Sequence, residues 1–392
     1  MILVLKKTFL YNLPDEILLK ICSHLTSHEL YKLSLTCQAL LGVTYEVLSR
    51  ALRLDYAYRD DRKLSELNDI VNKLKRRSGG FLSDITIAHF TWPVSSELCR
   101  QMHHILSLLP NLKTLYLKEQ CYSLQGYFIR AGKLEDMDAN LCDVLLHSSS
   151  ASTIRSLTIS DTRISSHDIL KLFTMKQLEH LSIEGFNYPM GIEPGDEIPH
   201  ANLESLSIST TARPTGRHID IILARTPHLK RFSWNFDFSS IFTQEQFKQV
   251  CSPAAISAAL RPLSSTLEEL RISMAATKFQ NDGTGLDVSR FEKLRRLQIH
   301  GELLFPSCDE LSYEAFCDGL GAQLWDRLPR SLETLEIISD TYRGDQTGFA
   351  ATESQTMNFD LPVSNKMHLR KLSQVSVIRR EFNPLEEHTV RA

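Results

Sequence analysis

The sequence predicts an α/β chain in which a small all-α segment of three helices leads into a solenoid, a curved parallel sheet with helices on its outer side. Two observations predict it. After residue 81 a six-residue pattern, apolar-x-x-apolar-x-apolar, recurs ten times at spacings between 24 and 42 residues, with helix-period segments between the copies. Before residue 56 the apolar positions instead step by three and four from a Leu-Pro pair, as on the faces of short helices.

Composition sets the bounds. With 392 residues, 42% hydrophobic and 23% charged, the chain has material for one large or two medium domains. Lys plus Arg number 44 against 47 Asp plus Glu, a net charge of -3 that gives no sign of a nucleic-acid partner. The eight cysteines are scattered without a Cys-x-x-Cys pair and there is no Asn-x-Ser/Thr acceptor, which points to reduced thiols in the cytoplasm or the nucleus. "MILVLKKTFLY" sets its apolar residues before its lysines, the reverse of a secretory signal. No apolar run approaches the roughly 18 residues that span a bilayer, so no membrane is expected.

The helical segment opens at "LPDEILLKICSHL". Pro14 suits the first turn, where its missing N–H has no partner in any case, and Asp15 and Glu16 put negative charge at the positive end of the helix dipole. Ile17, Ile21 and Leu25 recur at steps of four beside Leu18 and Cys22, which makes one wide apolar face. Thr26 and Glu29 form a capping box for a second helix carrying Leu30 and Leu33, and "TYEVLSRALRL" reads as a third helix ending near Leu54. Three short helices with apolar residues on more than one side bury too little surface to stand alone, so the segment is expected to dock on something.

Leu13, Pro14, Glu16, Ile17, Ile21, Leu25, Leu30, Leu33 and Cys37 together resemble the F-box pattern. The resemblance implies an F-box-like domain over residues 8–55 that docks on the Skp adaptor of a cullin ubiquitin ligase. Leu13 and Pro14 would insert into the adaptor; Glu16, Ile17, Ile21, Leu25, Leu30 and Leu33 would supply the rest of the contact.

Residues 56–81 read as a linker helix with Leu64, Leu67, Val71 and Leu74 in a narrow apolar stripe. Lys73, Lys75, Arg76 and Arg77 crowd its end, either as a nuclear-localisation patch or as cations complementing the helix dipole.

From residue 82 to 392 the pattern runs "LSDITI" from Leu82, "LKTLYL" from Leu112, "IRSLTI" from Ile154, "LEHLSI" from Leu178 and "LESLSI" from Leu203. It continues "LKRFSW" from Leu229, "LEELRI" from Leu267, "LRRLQI" from Leu294, "LETLEI" from Leu332 and "LSQVSV" from Leu372. Alternation in each second half predicts a strand; "LCRQMHHILSLL", "SHDILKLF", "RHIDIILA" and "YEAFCDGLGAQLW" predict helices between them. This part resembles the irregular leucine-rich repeats found behind fungal and plant F-boxes. The Asn or Cys ladder of that family is mostly missing, so the turns must satisfy their backbone groups in another way.

With the first, fourth and sixth positions of each unit in the core, the third, fifth and seventh face the open, concave side of the sheet. That side begins with Asp84, Thr86 and Ala88, is hydroxyl-rich and nearly neutral through its first half, and ends with Thr334, Glu336, Ile338, Gln374, Ser376 and Ile378. Arg231, Arg271, Arg296 and His300 fall on three successive strands about 5 Å apart, near Asn235. Two readings stay open: these residues receive an acidic or phosphorylated segment of a substrate protein, or they form a solvated face balanced by Glu269 and Glu336.

Residues 118–153, 274–290 and 339–365 have the Gly, Ser, Thr, Asp and Asn content of long surface loops. His24 with His28, and Cys99 with His103, have helical metal-pair spacing without a second pair, so no metal is expected. No nucleophile elbow, P-loop or dinucleotide fingerprint occurs, so neither a cofactor nor a catalytic residue is expected. The function expected is that of a substrate-recognition subunit of a Skp-cullin-F-box ligase, joined through the adaptor to a cullin and through the repeats to an unidentified protein. The alternative is a repeat scaffold with no ligase role.

Overall fold

The computed structural model describes residues 13–22, 25, 27–36, 40–41, 43–44, 51–55, 72, 81–92, 96–119, 141–160, 166–186, 200–210, 216–237, 252–275, 283–304, 326–342, 349–358 and 371–384. The chain divides into two compact units, Met1–Leu157 and Thr158–Ala392.

The first unit opens with the helices Asp15–Cys22 and Ser27–Ser34. Pro14 starts the first by accepting from the N–H groups of Ile17 and Leu18 at 3.0 and 3.1 Å. Leu40, Leu41, Val43 and Thr44 are helical as well, and the buried Thr44 hydroxyl donates back to the Leu40 carbonyl at 2.8 Å. The predicted third helix does not continue to Leu54. Residues Ala51–Asp55 are strand β1, paired in parallel with β2, Ile87–Trp92. The alternation Leu52-Arg53-Leu54 is strand-like once a neighbour offers a ladder, and that pairing overrides the local helical pattern. Of the predicted linker helix, only Asn72 and Phe81 lie within the described residues, and the basic cluster Lys73 to Arg77 lies outside them.

Strand β3, Thr114–Glu119, pairs with β2 in parallel, Ile87 opposite Thr114. This register corrects the first repeat. Phe81–Asp84 is a helical turn, and the unit equivalent to "LKTLYL" is "ITIAHF", three residues later than predicted. Asp84 therefore precedes the strand and Ala88 is fully buried, so neither faces the open side of the sheet. Both "LSDITI" and "ITIAHF" place apolar residues at the required steps, and only the pairing with β3 decides between them.

In the second unit β5 (His180–Phe186), β6 (Ser205–Thr210), β7 (Arg231–Asp237), β8 (Glu269–Ala275), β9 (Arg296–His300) and β10 (Thr334–Tyr342) pair in sequence order, each parallel to the last. β12 (Gln374–Pro384) joins β10 in parallel, and β11 (Phe349–Asn358) lies antiparallel beyond it. The predicted loop 339–365 thus holds the end of β10 and all of β11. Its Thr, Ser and Gln content reads as loop in isolation, but alternating Thr-x-Ser-x-Thr suits a strand beside "QVSVIRREFNP". Between them, β4 (Ser156–Ser160) spans the boundary of the two units.

Helices Ser96–Ser107, Ser166–Leu172 and Gly216–Ala224 occupy three of the four predicted places; the fourth, 313–325, lies outside the described residues. Leu141–Leu146 and Pro253–Leu260 add two more, the second capped by the Ser252 hydroxyl and opened by Pro253. The core follows the repeat pattern. The first, fourth and sixth positions, as in Leu112, Leu115 and Leu117 or Leu267, Leu270 and Ile272, are buried wherever their side chains are described, with Trp234 the largest of them.

The turns answer the missing Asn ladder in two ways. The residue after each first leucine accepts twice from the next unit: Lys113 from Arg155 and Ser156, Glu204 from Lys230 and Arg231, Lys230 from Glu268 and Glu269, Glu268 from Arg295 and Arg296. Polar side chains just ahead of the first leucine then reach back to carbonyls of the preceding unit. Asn111 donates to Ser83, Thr153 to Leu112, Asn202 to Lys176 and Ser331 to Leu294, at 2.8 to 3.0 Å.

Candidate functional site

Two regions carry the predicted contacts, one in each unit. In the first, Leu18, Cys22, Leu30, Leu40 and Val43 make a small core, against which Leu13, Leu19, Leu25 and Leu33 pack half-buried. Burial pushes the Cys22 thiol pKa up, which keeps it protonated and inert as a packing group. Helix Asp15–Cys22 therefore has two apolar sides. Leu18 and Cys22 turn inward, while Pro14, Ile17 and Ile21 lie on the outside, with Ile17 46% and Ile21 37% exposed. Glu16 is exposed beside them. Leu35 and Leu41 are also exposed, at 69% and 48%.

The predicted adaptor residues thus separate. Pro14, Glu16, Ile17 and Ile21 present themselves at the surface, whereas Leu30 is in the core and Leu13, Leu25 and Leu33 line it. Cys37, Thr26 and His24 lie outside the described residues. Leu35 had no sequence signal of its own, because one leucine among many at helical spacing does not announce which side it takes.

In the second unit the open side of the sheet is built in rows by the strand register. One row reads His180, Ser205, Arg231, Glu269, Arg296; the next reads Ser182, Ser207, Ser233, Arg271, Gln298. Arg231 and Arg296 flank Glu269, and Arg271 stands one row along on the same strand as Glu269. The Arg271 guanidinium is held by the Glu269 carboxylate, Nη2 to Oε1 2.5 Å. Arg231 extends the other way, bringing Nη2 within 3.5 Å of His180 Nδ1 across Ser205. Asn235 is half-buried and its side-chain oxygen accepts from the Ser273 hydroxyl at 2.7 Å.

His300 does not face this surface. It is the last residue of β9, 2% exposed, next to the helix Gly301–Leu304 that packs on β9 and β10. Ile338 and Ser376 are likewise buried. The period-two rule assigns a face only while the strand stays open to solvent, and at this end it does not.

Below the sheet face runs a line of charge. Lys230 pairs with Glu204 at 2.8 Å and Arg295 with Glu333 at 3.7 Å, all on the residues that also carry the backbone ladder. The hydrogen bond from Lys230 holds the Glu204 carboxyl below its ordinary range, and Glu204 raises Lys230 in turn.

Among the described residues no group of three or more His, Cys, Asp or Glu is arranged to hold a metal, and no helix is long and apolar enough to cross a membrane. His103 of the predicted metal pair has its Nδ1 3.3 Å from the Val144 carbonyl.

Residues 10–53 match the family model described as F-box-like, which spans the small core and its exposed helix face. No curated protein matches the chain.

Proposed function

We propose that the chain is a substrate-recognition subunit of a Skp-cullin-F-box ubiquitin ligase, its F-box-like segment binding the Skp adaptor and its leucine-rich-repeat-like sheet binding a target protein. The observation that carries this is the coincidence of the F-box-like match with an apolar helix face left outside its own core, Pro14, Ile17 and Ile21. F-box domains generally bind Skp adaptors, and paired isoleucines one turn apart are suited to a partner's apolar groove. Burying each contributes about 1.5 to 3 kcal/mol. The chain then acts as a tether without catalytic residues, raising the effective concentration of the target beside a ubiquitin-transfer machinery supplied by other subunits. Such work belongs in the cytoplasm or nucleus.

Co-purification of the full chain with the Skp adaptor tests this. Wild type should recover the adaptor and the Ile17→Asp, Ile21→Asp variant should not. Failure of the wild type to recover it would favour a repeat scaffold with no ligase role.

A further inference from the structure

Two basic residues, any residue and a serine follow one another four times in the chain, at 62–65, 75–78, 230–233 and 370–373. The first two copies lie outside the described residues. The third, Lys230-Arg231-Phe232-Ser233, is locked into β7: Phe232 is buried, Ser233 is half-buried, and the strand pairs with β6 on one side and β8 on the other. The fourth, Arg370-Lys371-Leu372-Ser373, stops where β12 begins. Arg370 lies outside the described residues, Lys371 is exposed in a turn, and Ser373 is exposed. Among the described residues one acceptor, the Glu333 carbonyl, holds this point: it receives the Ser373 N–H at 2.9 Å, the Gln374 N–H at 3.3 Å and the Ser373 hydroxyl at 3.1 Å. Presenting Ser373 to an enzyme therefore opens the first rung of one ladder and lifts out Leu372, whereas presenting Ser233 breaks two ladders in mid-strand. Openings of the first kind cost far less than those of the second.

The place that Ser373 takes in its repeat adds a consequence. It is the second position, which in the preceding units holds Glu179, Glu204, Lys230, Glu268, Arg295 and Glu333. A hydroxyl thus stands at the end of a line of charges. Its neighbour in that line is Glu333, whose carboxylate pairs with Arg295 on the other side at 3.7 Å. A phosphoryl group on Ser373 would set about two negative charges beside that carboxylate and remove the hydroxyl's hydrogen bond to the Glu333 carbonyl. Both changes fall where β12 joins β10.

We propose that Ser373 is a phosphorylation site, taken by a serine kinase whose acidic groove receives Arg370 and Lys371, and that its phosphate loosens the junction of β10 and β12. The γ-phosphoryl group of ATP passes to the Ser373 oxygen: a new P–O bond forms, the bond to the ADP leaving group breaks, and the hydroxyl proton goes to the kinase's base. The site stands apart from the receptor function proposed above, since it acts on the end of the sheet whatever partner the chain holds.

The test incubates the full chain with ATP and the catalytic subunit of cyclic-AMP-dependent kinase, which takes serines after paired basic residues, and maps the phosphate by mass spectrometry. Peptides of residues 223–237 and 366–380 are treated beside it. Both peptides should be phosphorylated, whereas in the folded chain Ser373 should carry at least about tenfold more phosphate than Ser233, because only Ser373 is reached by a small opening. Arg370→Ala with Lys371→Ala should remove most of the phosphate from Ser373. The treated chain should melt lower than a Ser373→Ala variant treated in the same way, since both lack the hydroxyl's bond and only the first carries the added charge. Added salt should narrow that gap, and so should Glu333→Gln. A phosphorylated 366–380 peptide beside an unmodified Ser373 in the folded chain overturns the site, and so does equal modification of Ser233 and Ser373. A 366–380 peptide that takes no phosphate overturns recognition through the paired basic residues. Phosphate on Ser373 with no change in melting overturns the loosening of the β10 and β12 junction.

Discussion

Both Nε and Nη2 of Arg271 reach Oε1 of Glu269, at 2.6 and 2.5 Å, so one carboxylate occupies a guanidinium in the middle of the arginine cluster. The two residues stand on the same face of β8, with Arg231 opposite Glu269 on β7 and Arg296 opposite it on β9. Glu269→Gln keeps the side-chain shape and removes the charge that holds Arg271. It should lower the melting temperature slightly at neutral pH, and added salt should shrink the difference, because the Arg271 side chain is half exposed. An unchanged melting temperature at low salt would mean that the pair contributes nothing to stability.

The two sides of helix Asp15–Cys22 make opposite predictions. Ile17 and Ile21 are exposed, so replacing both with Asp should leave the melting temperature nearly unchanged and abolish adaptor binding, a loss of at least about a hundredfold if each isoleucine contributes its ordinary burial energy. Leu18 is in the small core, and Leu18→Ala should cost about 2 to 5 kcal/mol of stability. A calorimetric scan beside an adaptor pull-down separates the two: the first variant loses the partner while folded, the second through unfolding of the segment. Equal melting losses in both would contradict the exposed placement of Ile17 and Ile21.

How much of this could be read beforehand depends on what fixes each feature. The buried triads of the repeats, such as Leu203, Leu206 and Ile208, are legible because core burial and strand alternation impose the same spacing every time. The start of the first unit and the existence of β1 were not, since "LSDITI" and "ITIAHF" have similar local patterns and pairing with a distant strand decides. β11 was hidden for the same reason, its polar alternation acquiring meaning only beside β12. At the sites, residue types were legible and surroundings were not. Nothing in the spacing of Arg231, Arg271 and Arg296 says that Arg271 is bound to Glu269 or that Arg231 leans toward His180. Parity alone puts His300 on the open face, and the chain's turn into Gly301–Leu304 puts it inside.

The Glu204 and Lys230 pair should leave a pH signature. The Glu204 carboxyl is lowered from its ordinary value, so its contribution is present above the ordinary carboxylate range and is lost as pH falls through the depressed folded value. Lys230 is raised, so its contribution is complete below the ordinary lysine value and is lost as pH rises through the elevated one. Lys230→Met should therefore lower the melting temperature slightly at neutral pH, and the difference should vanish in strong acid. Both side chains are nearly half exposed, so high salt should erase it as well. Melting curves of both proteins at neutral and acid pH, with and without added salt, provide the check.

Two glycines two residues apart should fail for different reasons. Gly283 has φ +76° with nothing within 4 Å of a built Cβ, so its constraint is backbone conformation alone. Gly283→Asn, which tolerates the left-handed region, should cost less than Gly283→Val, whose branched side chain does not. Gly285 has an ordinary φ but no room: a Cβ would lie 2.7 Å from the Leu304 carbonyl and 1.9 Å from Arg327 Nη1. The guanidinium can swing aside, though that gives up its 3.3 Å hydrogen bond to the same carbonyl. The carbonyl cannot, because Leu286 and Val288 on the same strap donate to Leu303 at 2.7 Å and to Arg327 at 3.0 Å and hold the backbone in place. Gly285→Ala should therefore cost about 1 to 3 kcal/mol. Arg327→Ala alone should be milder, and the double variant should recover little of the loss, since the clash with the carbonyl remains. Recovery of most of the stability in the double variant would assign the constraint to the arginine instead.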